Sequence, residues 1–486
     1  MATKKTDIET AKSDSAFENI PIEEKDRFPP VDNIRNRMFF VVRETLRKEL
    51  MRDALGELIR HHLPILGARI EKDETGLLVY RMPSTFSHGY KLFEWSENSI
   101  DATLESTQLL PTSLPRDGSP IFGSLSVQDM ENKWTPSDWP VERQFEKADT
   151  PLLLAHITSY ADATVVALSL PHIVSDGMGF GSLVTAWLQV MDGQTPAPFL
   201  NLEPGTLNGP DDIPQEELRR KKKFRVTSKA ETAASLLGFL PDLVKHPKEV
   251  RRILFLPSTL VTDLRNRHND DLKARYGKNT PALSDGDILI GILAKFAYIG
   301  RKSAKMVTLT SAVNGRGLHP ALPANKPYLH NCVTFAIGRL PISNKTPLLE
   351  IAHAHNQAVW EAFKVENIER DLAVTREACR RGAFPYFCEP LEMAFFTSNW
   401  SGAWHQANFA PAVVRKGADA TGTIPDVVTP LVFGQARRLR NNFLMRYGSQ
   451  IMCKADGGYW CDFTASTKGM ELVQDLIRLD PKLHSL

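Results

Sequence analysis

Between residues 194 and 230 the chain loses both the helical and the strand pattern of apolar residues. Pro196, Pro198, Pro204, Gly205, Gly209, Pro210 and Pro214 are followed by the basic run Arg219-Arg220-Lys221-Lys222-Lys223-Phe224-Arg225. Proline removes a backbone donor and glycine removes side-chain restraint, so neither a helix nor a central strand runs through such a stretch. It reads as a crossover between two structured halves. Before it, apolar runs predict strands at 38–42, 152–156 and 164–170, and 3.6-residue spacing predicts helices at 46–63 and 178–191. After it come a strand at 252–256 and helices at 285–299, 347–364 and 468–477. Both halves mix strands and helices without regular βαβ alternation. The expected class is α+β (mixed α/β) rather than a barrel.

Composition narrows the function. With 59 Lys+Arg against 57 Asp+Glu the formal charge is +2, which supplies no general attraction for nucleic acid. The longest apolar run, 288–298, contains Lys295 and is far shorter than the roughly 18 residues that span a bilayer. No apolar signal segment follows the amino terminus. Five cysteines form no CxxC pair, which argues against a disulfide framework or zinc knuckle and for a reducing, cytoplasmic setting. His61 and His62 are adjacent and His353 and His355 two apart, so neither pair shares a helix face and no metal site is expected. There is no GxGxxG, Walker or GxSxG string.

The sharpest local feature is 168–179, LSLPHIVSDGMG. A strand runs into a turn carrying His172, then Asp176 and Gly177, then an apolar helix. A histidine at a strand end is rigidly held and titrates close enough to neutrality to act as a general base. Gly177 leaves room for a substrate to approach. Taken alone, the same residues also read as a loop histidine followed by an aspartate N-cap.

This motif resembles the HxxxDG signature of BAHD-like, CoA-dependent acyltransferases of the chloramphenicol acetyltransferase-like superfamily, in its fungal secondary-metabolism branch. Other landmarks stand in the family's order over 27–486. They are Leu283-Ser284-Asp285-Gly286-Asp287, Asn314-Gly315-Arg316, Tyr328-Leu329-His330-Asn331, Thr397-Ser398-Asn399-Trp400 and Asp456-Gly457-Gly458. The family's DFGWG string falls at Asn408-Phe409-Ala410-Pro411-Ala412, without its aspartate and glycines.

Residues 1–26, with four lysines and seven acids and few large apolar side chains, read as a flexible tail. The resemblance implies an N-terminal acyltransferase domain (27–200), a crossover linker (201–235) and a C-terminal acyltransferase domain (236–486), with the active site in a channel between them. It implies that His172 is the general base and that Asp176 turns away from it to pair with Arg316. Thr397, Ser398 or Trp400 is expected to donate to the oxyanion. Acyl-CoA is expected as co-substrate without a bound cofactor, with Lys222, Lys223, Arg225 and Ser284 at its entrance and the 437–440 run as a second basic candidate. The acceptor is expected to be a hydroxyl or amine of a small metabolite, and the protein a monomer. A base-catalysed cyclisation or condensation without CoA, and a non-catalytic binding protein, remain open on the residues alone.

Overall fold

The computed structural model describes residues 17–111, 114, 118–383, 388–414, 425–437 and 445–486. Its three β-sheets are flanked by helices, the mixed α/β class expected from the apolar patterns. The five-stranded sheet runs in the order Leu431–Arg437, Arg35–Val42, Thr164–Pro171, Leu154–Ser159, Glu94–Ser99. Every residue of Arg35–Val42 and of Thr164–Pro171 is buried, so both strands are covered on both faces. This is why they read as near-continuous apolar runs rather than as alternating ones.

The seven-stranded sheet runs Val333–Ile342, Lys305–Asn314, Met393–Asn399, Gly448–Ala455, Gly458–Ser466, Glu249–Pro257, Ile121–Phe122. The helices Asp285–Ala297 and Leu348–Ala362 pack together in its apolar core. A small sheet of Phe17–Pro21, Leu78–Pro83 and Arg69–Lys72 completes the set.

The sheets exchange strands across the crossover. Ile121–Phe122 pairs with Glu249–Pro257, and Leu431–Arg437 pairs with Arg35–Val42. The 27–200 and 236–486 segments are therefore interlocked, each completing the other's sheet.

Two expectations change. Residues 17–26 are not a free tail: Phe17–Pro21 is a strand, and Lys25 and Asp26 are buried. The charge that made this segment look solvated is paired inside, Lys25 Nζ to Asp26 Oδ2 at 2.6 Å. Nor is 201–235 a loose tether. Leu207, Leu218, Phe224 and Val226 are buried, and Arg376 donates to the carbonyls of Asn208, Gly209 and Pro210.

Candidate active site

The strand Thr164–Pro171 ends between the five-stranded sheet and the start of Val333–Ile342, and the next residue is His172. Its backbone N–H donates to Ile34 O at 2.8 Å and its carbonyl accepts from Asn331 Nδ2 at 2.9 Å. The residue is only partly buried, yet Nδ1 is buried without a hydrogen-bond partner. The open side of the imidazole is thus its Nε2 side. Burial holds His172 below the ordinary histidine pKa, with its own backbone carbonyl first and then the carboxylate of Asp176 opposing that shift.

Asp176 turns away from the imidazole. Its Oδ1 caps the helix Gly177–Met191 by accepting from the N–H groups of Met178 (3.0 Å) and Gly179 (2.9 Å). Its Oδ2 accepts from Arg316 Nη1 (3.0 Å) and from the Cys332 N–H (2.9 Å). Burial alone pushes this carboxyl up; Arg316 and the N–H donors outweigh it and hold the pKa below the usual aspartate value. Arg316 in turn donates to the carbonyls of Tyr328 (3.2 Å) and His330 (2.5 Å). Ser175 Oγ donates to Leu329 O at 2.7 Å, and His330 Nδ1 donates to Val174 O at 3.1 Å. The 172–176 loop and the 328–332 segment are thus laced into one unit.

Glycine is required by contact here. A Cβ on Gly179 would lie 1.9 Å from Leu329 O, and one on Gly177 would lie 3.1 Å from Trp400 Cδ1. The Trp400 indole therefore stands against the helix start beside His172. Its backbone N–H donates to Ile451 O at 2.8 Å, while Nε1 has no hydrogen-bond partner among the described residues.

Thr397 and Ser398 separate. Neighbouring residues on a strand face opposite ways. Thr397 Oγ1 meets Ser311 Oγ at 2.5 Å, on the face covered by the helix Leu348–Ala362, and is 1% exposed. That hydroxyl is committed within the core, which corrects its expected place in the channel. Ser398 faces the other way and stays partly exposed.

The expected CoA contacts also diverge. Arg225 is buried, with ion pairs to Glu231 at 2.9 Å and Glu389 at 3.1 Å. Its charge holds the crossover in place and is closed to a phosphate, so the entrance role does not fit it. Lys222 is exposed, and its N–H donates to Glu389 Oε1 at 2.7 Å. Lys223 borders a cavity of about 260 Å³ with Phe335, Arg339, Glu361 and Arg370. That cavity shares no lining residue with the His172 loop. Ser284 caps the helix Asp285–Ala297 in a reciprocal box with Asp287, close to the end of Met393–Asn399 through Gly286 and Asn399. Arg438, Leu439 and Arg440 lie outside the described residues. Asn408 accepts from the N–H groups of Ala410 (3.0 Å) and Val428 (2.8 Å), so the altered 408–412 string still pins its loop.

Two groups escaped the sequence reading. Asp287 Oδ1, His355 Nδ1, His355 Nε2 and Ser311 Oγ form a buried chain of 2.6 and 2.9 Å links that ends on Thr397. Asp26 accepts from Asn331 beside His172. No local spacing signals either, because the partners are far apart in the chain. Among the described residues no group of His, Cys, Asp or Glu is arranged to hold a metal ion.

No family model matches the chain. The acetyltransferase pyiB of Pyricularia grisea is 25% identical over 470 residues, covering 90% of this chain and 91% of pyiB. TRI101 of F. sporotrichioides, solved with coenzyme A and T-2, superposes with a TM-score of 0.65 at 12% identity, covering 95% of this chain and 97% of that one. The chain is thus similar along nearly its whole length to a fungal acetyltransferase and shares the fold of TRI101. A further relative, named transcriptional regulator sdnM in Sordaria araneosa, is 24% identical over 454 residues, and the match covers 86% of this chain and 88% of sdnM.

Proposed function

We propose that the protein transfers an acyl group, acetyl or another short acyl, from acyl-CoA to a hydroxyl or amine of a small, hydrophobic secondary metabolite, with His172 as general base. The observation that carries this reading is the pinned loop: Asp176 is fully spent on Arg316 and backbone donors, so it does not pair with the imidazole, whose Nδ1 is buried and whose Nε2 is the nitrogen left for an acceptor. TRI101 binds coenzyme A on the same fold. Nε2 takes the acceptor's proton as its oxygen or nitrogen attacks the thioester carbonyl. The tetrahedral oxyanion forms, collapses and expels the CoA sulfur, which recovers the proton from the imidazolium. The products are the acylated metabolite and free CoA.

We assign the oxyanion to Ser398 and Trp400 Nε1 as donors, a contribution of about 3–4 kcal/mol in comparable sites. Lys222 and Ser284 remain the residues assigned to the CoA entrance. Five free cysteines suit a reducing cytosol, and one chain supplies every group used here, so a monomer suffices.

The test is thiol release from acetyl-CoA with a panel of hydrophobic alcohols and amines, alongside calorimetric titration of acetyl-CoA. His172→Ala should lower turnover by roughly 10²- to 10⁴-fold with an unchanged circular dichroism spectrum. Undiminished turnover in that variant would remove the base role. The name of the Sordaria araneosa relative favours a second reading, a regulatory protein without turnover. Acetyl-CoA binding without thiol release for any acceptor would favour it.

A further inference from the structure

The helix Lys229–Leu237 turns through Gly238 and Phe239 into the helix Leu240–Lys245, far along the surface of the crossover from any residue used above. The inner side of this corner is firmly seated. Ser235 Oγ donates to Cys388 O at 2.9 Å, and Phe239 is buried with its ring centroid 4.6 Å from that of Tyr447. A Cβ on Gly238 would lie 2.1 Å from Glu392 O. The outer side carries Leu236, Leu237, Leu240 and Val244, which are 49–73% exposed and recur at helical spacing. Leu391, also exposed, extends the patch, since its N–H donates to Ala234 O at 3.1 Å. A contiguous apolar group of this kind on a soluble chain marks a surface that meets something.

The charge beside that patch has one sign. Glu231 and Asp242, the two acids of 229–248, are both committed to the protein. Glu231 accepts from Ser228 N–H at 3.0 Å and pairs with Arg225 at 2.9 Å, while Asp242 accepts from Tyr447 Oη at 2.6 Å. Lys229, Lys245 and Lys248 are exposed, and none has an ion pair among the described residues. The basic run adjoins them through Glu389, which accepts from Lys222 N–H and pairs with Arg225, and its Arg219 and Lys221 are exposed too. Apolar side chains flanked by unpaired lysines match an anionic bilayer, in which phosphate lies directly above hydrocarbon. The long lysine stem lets the ammonium stay at the headgroups while a leucine sits below it.

We propose that the 229–248 corner docks the protein on an anionic lipid surface, with Leu236, Leu237, Leu240 and Val244 entering the boundary between headgroups and acyl chains and Lys229, Lys245 and Lys248 meeting lipid phosphates. The contact is peripheral and reversible: among the described residues no helix is long and apolar enough to cross a membrane. Charge draws the corner to the surface, and the leucines retain it there. None of these side chains belongs to the His172 loop, so lipid binding stands or falls apart from acyl transfer. On the acyl-transfer reading, docking brings the protein to the phase in which a hydrophobic acceptor concentrates.

The deciding experiment sediments the full-length protein with vesicles of phosphatidylcholine containing one-quarter phosphatidylserine, and with vesicles of phosphatidylcholine alone, at low and high salt. Binding to the anionic vesicles at low salt is expected, with loss at high salt and little binding to phosphatidylcholine. Lys229→Gln, Lys245→Gln and Lys248→Gln should each weaken it roughly fivefold. Leu236→Asn and Leu240→Asn should each weaken it roughly 10-fold. Both leucine variants should keep the wild-type circular dichroism spectrum and the wild-type rate of thiol release from acetyl-CoA without vesicles, because these side chains already face water. No sedimentation with the phosphatidylserine vesicles would overturn the proposal, and so would equal binding to both vesicle types. Binding that the lysine variants weaken but the leucine variants leave intact would reduce the corner to general charge attraction and overturn its docking face. Self-association of the lipid-free protein that Leu240→Asn abolishes, without vesicle binding, would give the face to a second copy of the chain instead.

Discussion

At the scale of single residues, the site turns on how one imidazole is kept neutral and one carboxylate is kept charged. Burial lowers the His172 pKa, and only the neutral ring can accept a proton. The acid limb of kcat/KM should therefore fall with a midpoint below about 6.5, with a plateau at neutral pH. A midpoint above 7 in a pH–rate profile would contradict this environment. Asp176→Asn keeps a capping side chain but leaves buried Arg316 without its anion. Breaking such a pair costs about 3–5 kcal/mol, to be read as a lower denaturant midpoint at constant slope. His172, Asp176 and Gly177 are legible in the sequence because six consecutive positions carry them on a strand–turn–helix. Arg316 became legible only through the family's order of landmarks. Arg225 misled, because a basic run looks the same whether its arginine reaches solvent or Glu389.

At the scale of elements, local chemistry set most helices close to where the sequence placed them. Ser284 and Asp287 form a reciprocal capping box at Asp285–Ala297, and Asp176 caps Gly177–Met191. The helix expected at 46–63 instead runs Lys48–Glu57 and widens into a π turn at Leu58–His62, with Leu63 N–H reaching Leu58 O. Apolar spacing carries no signal for that widening. The Gly177–Met191 helix meets the 328–332 segment so closely that Gly179→Ala drives a methyl group into the Leu329 carbonyl. Overpacking of this kind costs about 1–3 kcal/mol. The variant should melt at lower temperature and lose turnover together, and an unaltered melting curve would show that the contact yields freely.

At the scale of the molecule, the exchanged strands make the two halves depend on each other. Without Leu431–Arg437 the buried strand Arg35–Val42 becomes an open edge, with Val432 and Phe433 missing from its core. Unpaired, apolar edges invite aggregation. Separately expressed 1–235 and 236–486 should thus fail to give dispersed spectra, whereas the whole chain should unfold in a single calorimetric transition. Two resolved transitions, or a soluble folded 1–235, would refute the interdependence. The buried anchors of the crossover, Leu218 and Phe224, act in the same direction.

The sequence by itself determined the fold class, the strand–turn–helix bearing His172 and the position of the crossover. All three are written in neighbouring residues, through apolar period, turn chemistry and capping. The tertiary structure alone decided that Asp26 is brought to Asn331 beside His172, that Thr397 faces the core while Ser398 does not, and that Asp287, His355 and Ser311 form one chain. It also decided which arginine of the basic run is buried. These outcomes depend on pairings between residues 44 to 305 positions apart. A charged or polar side chain looks alike in sequence whether its partner is water or a distant residue, and only the folded chain brings that partner within 3 Å.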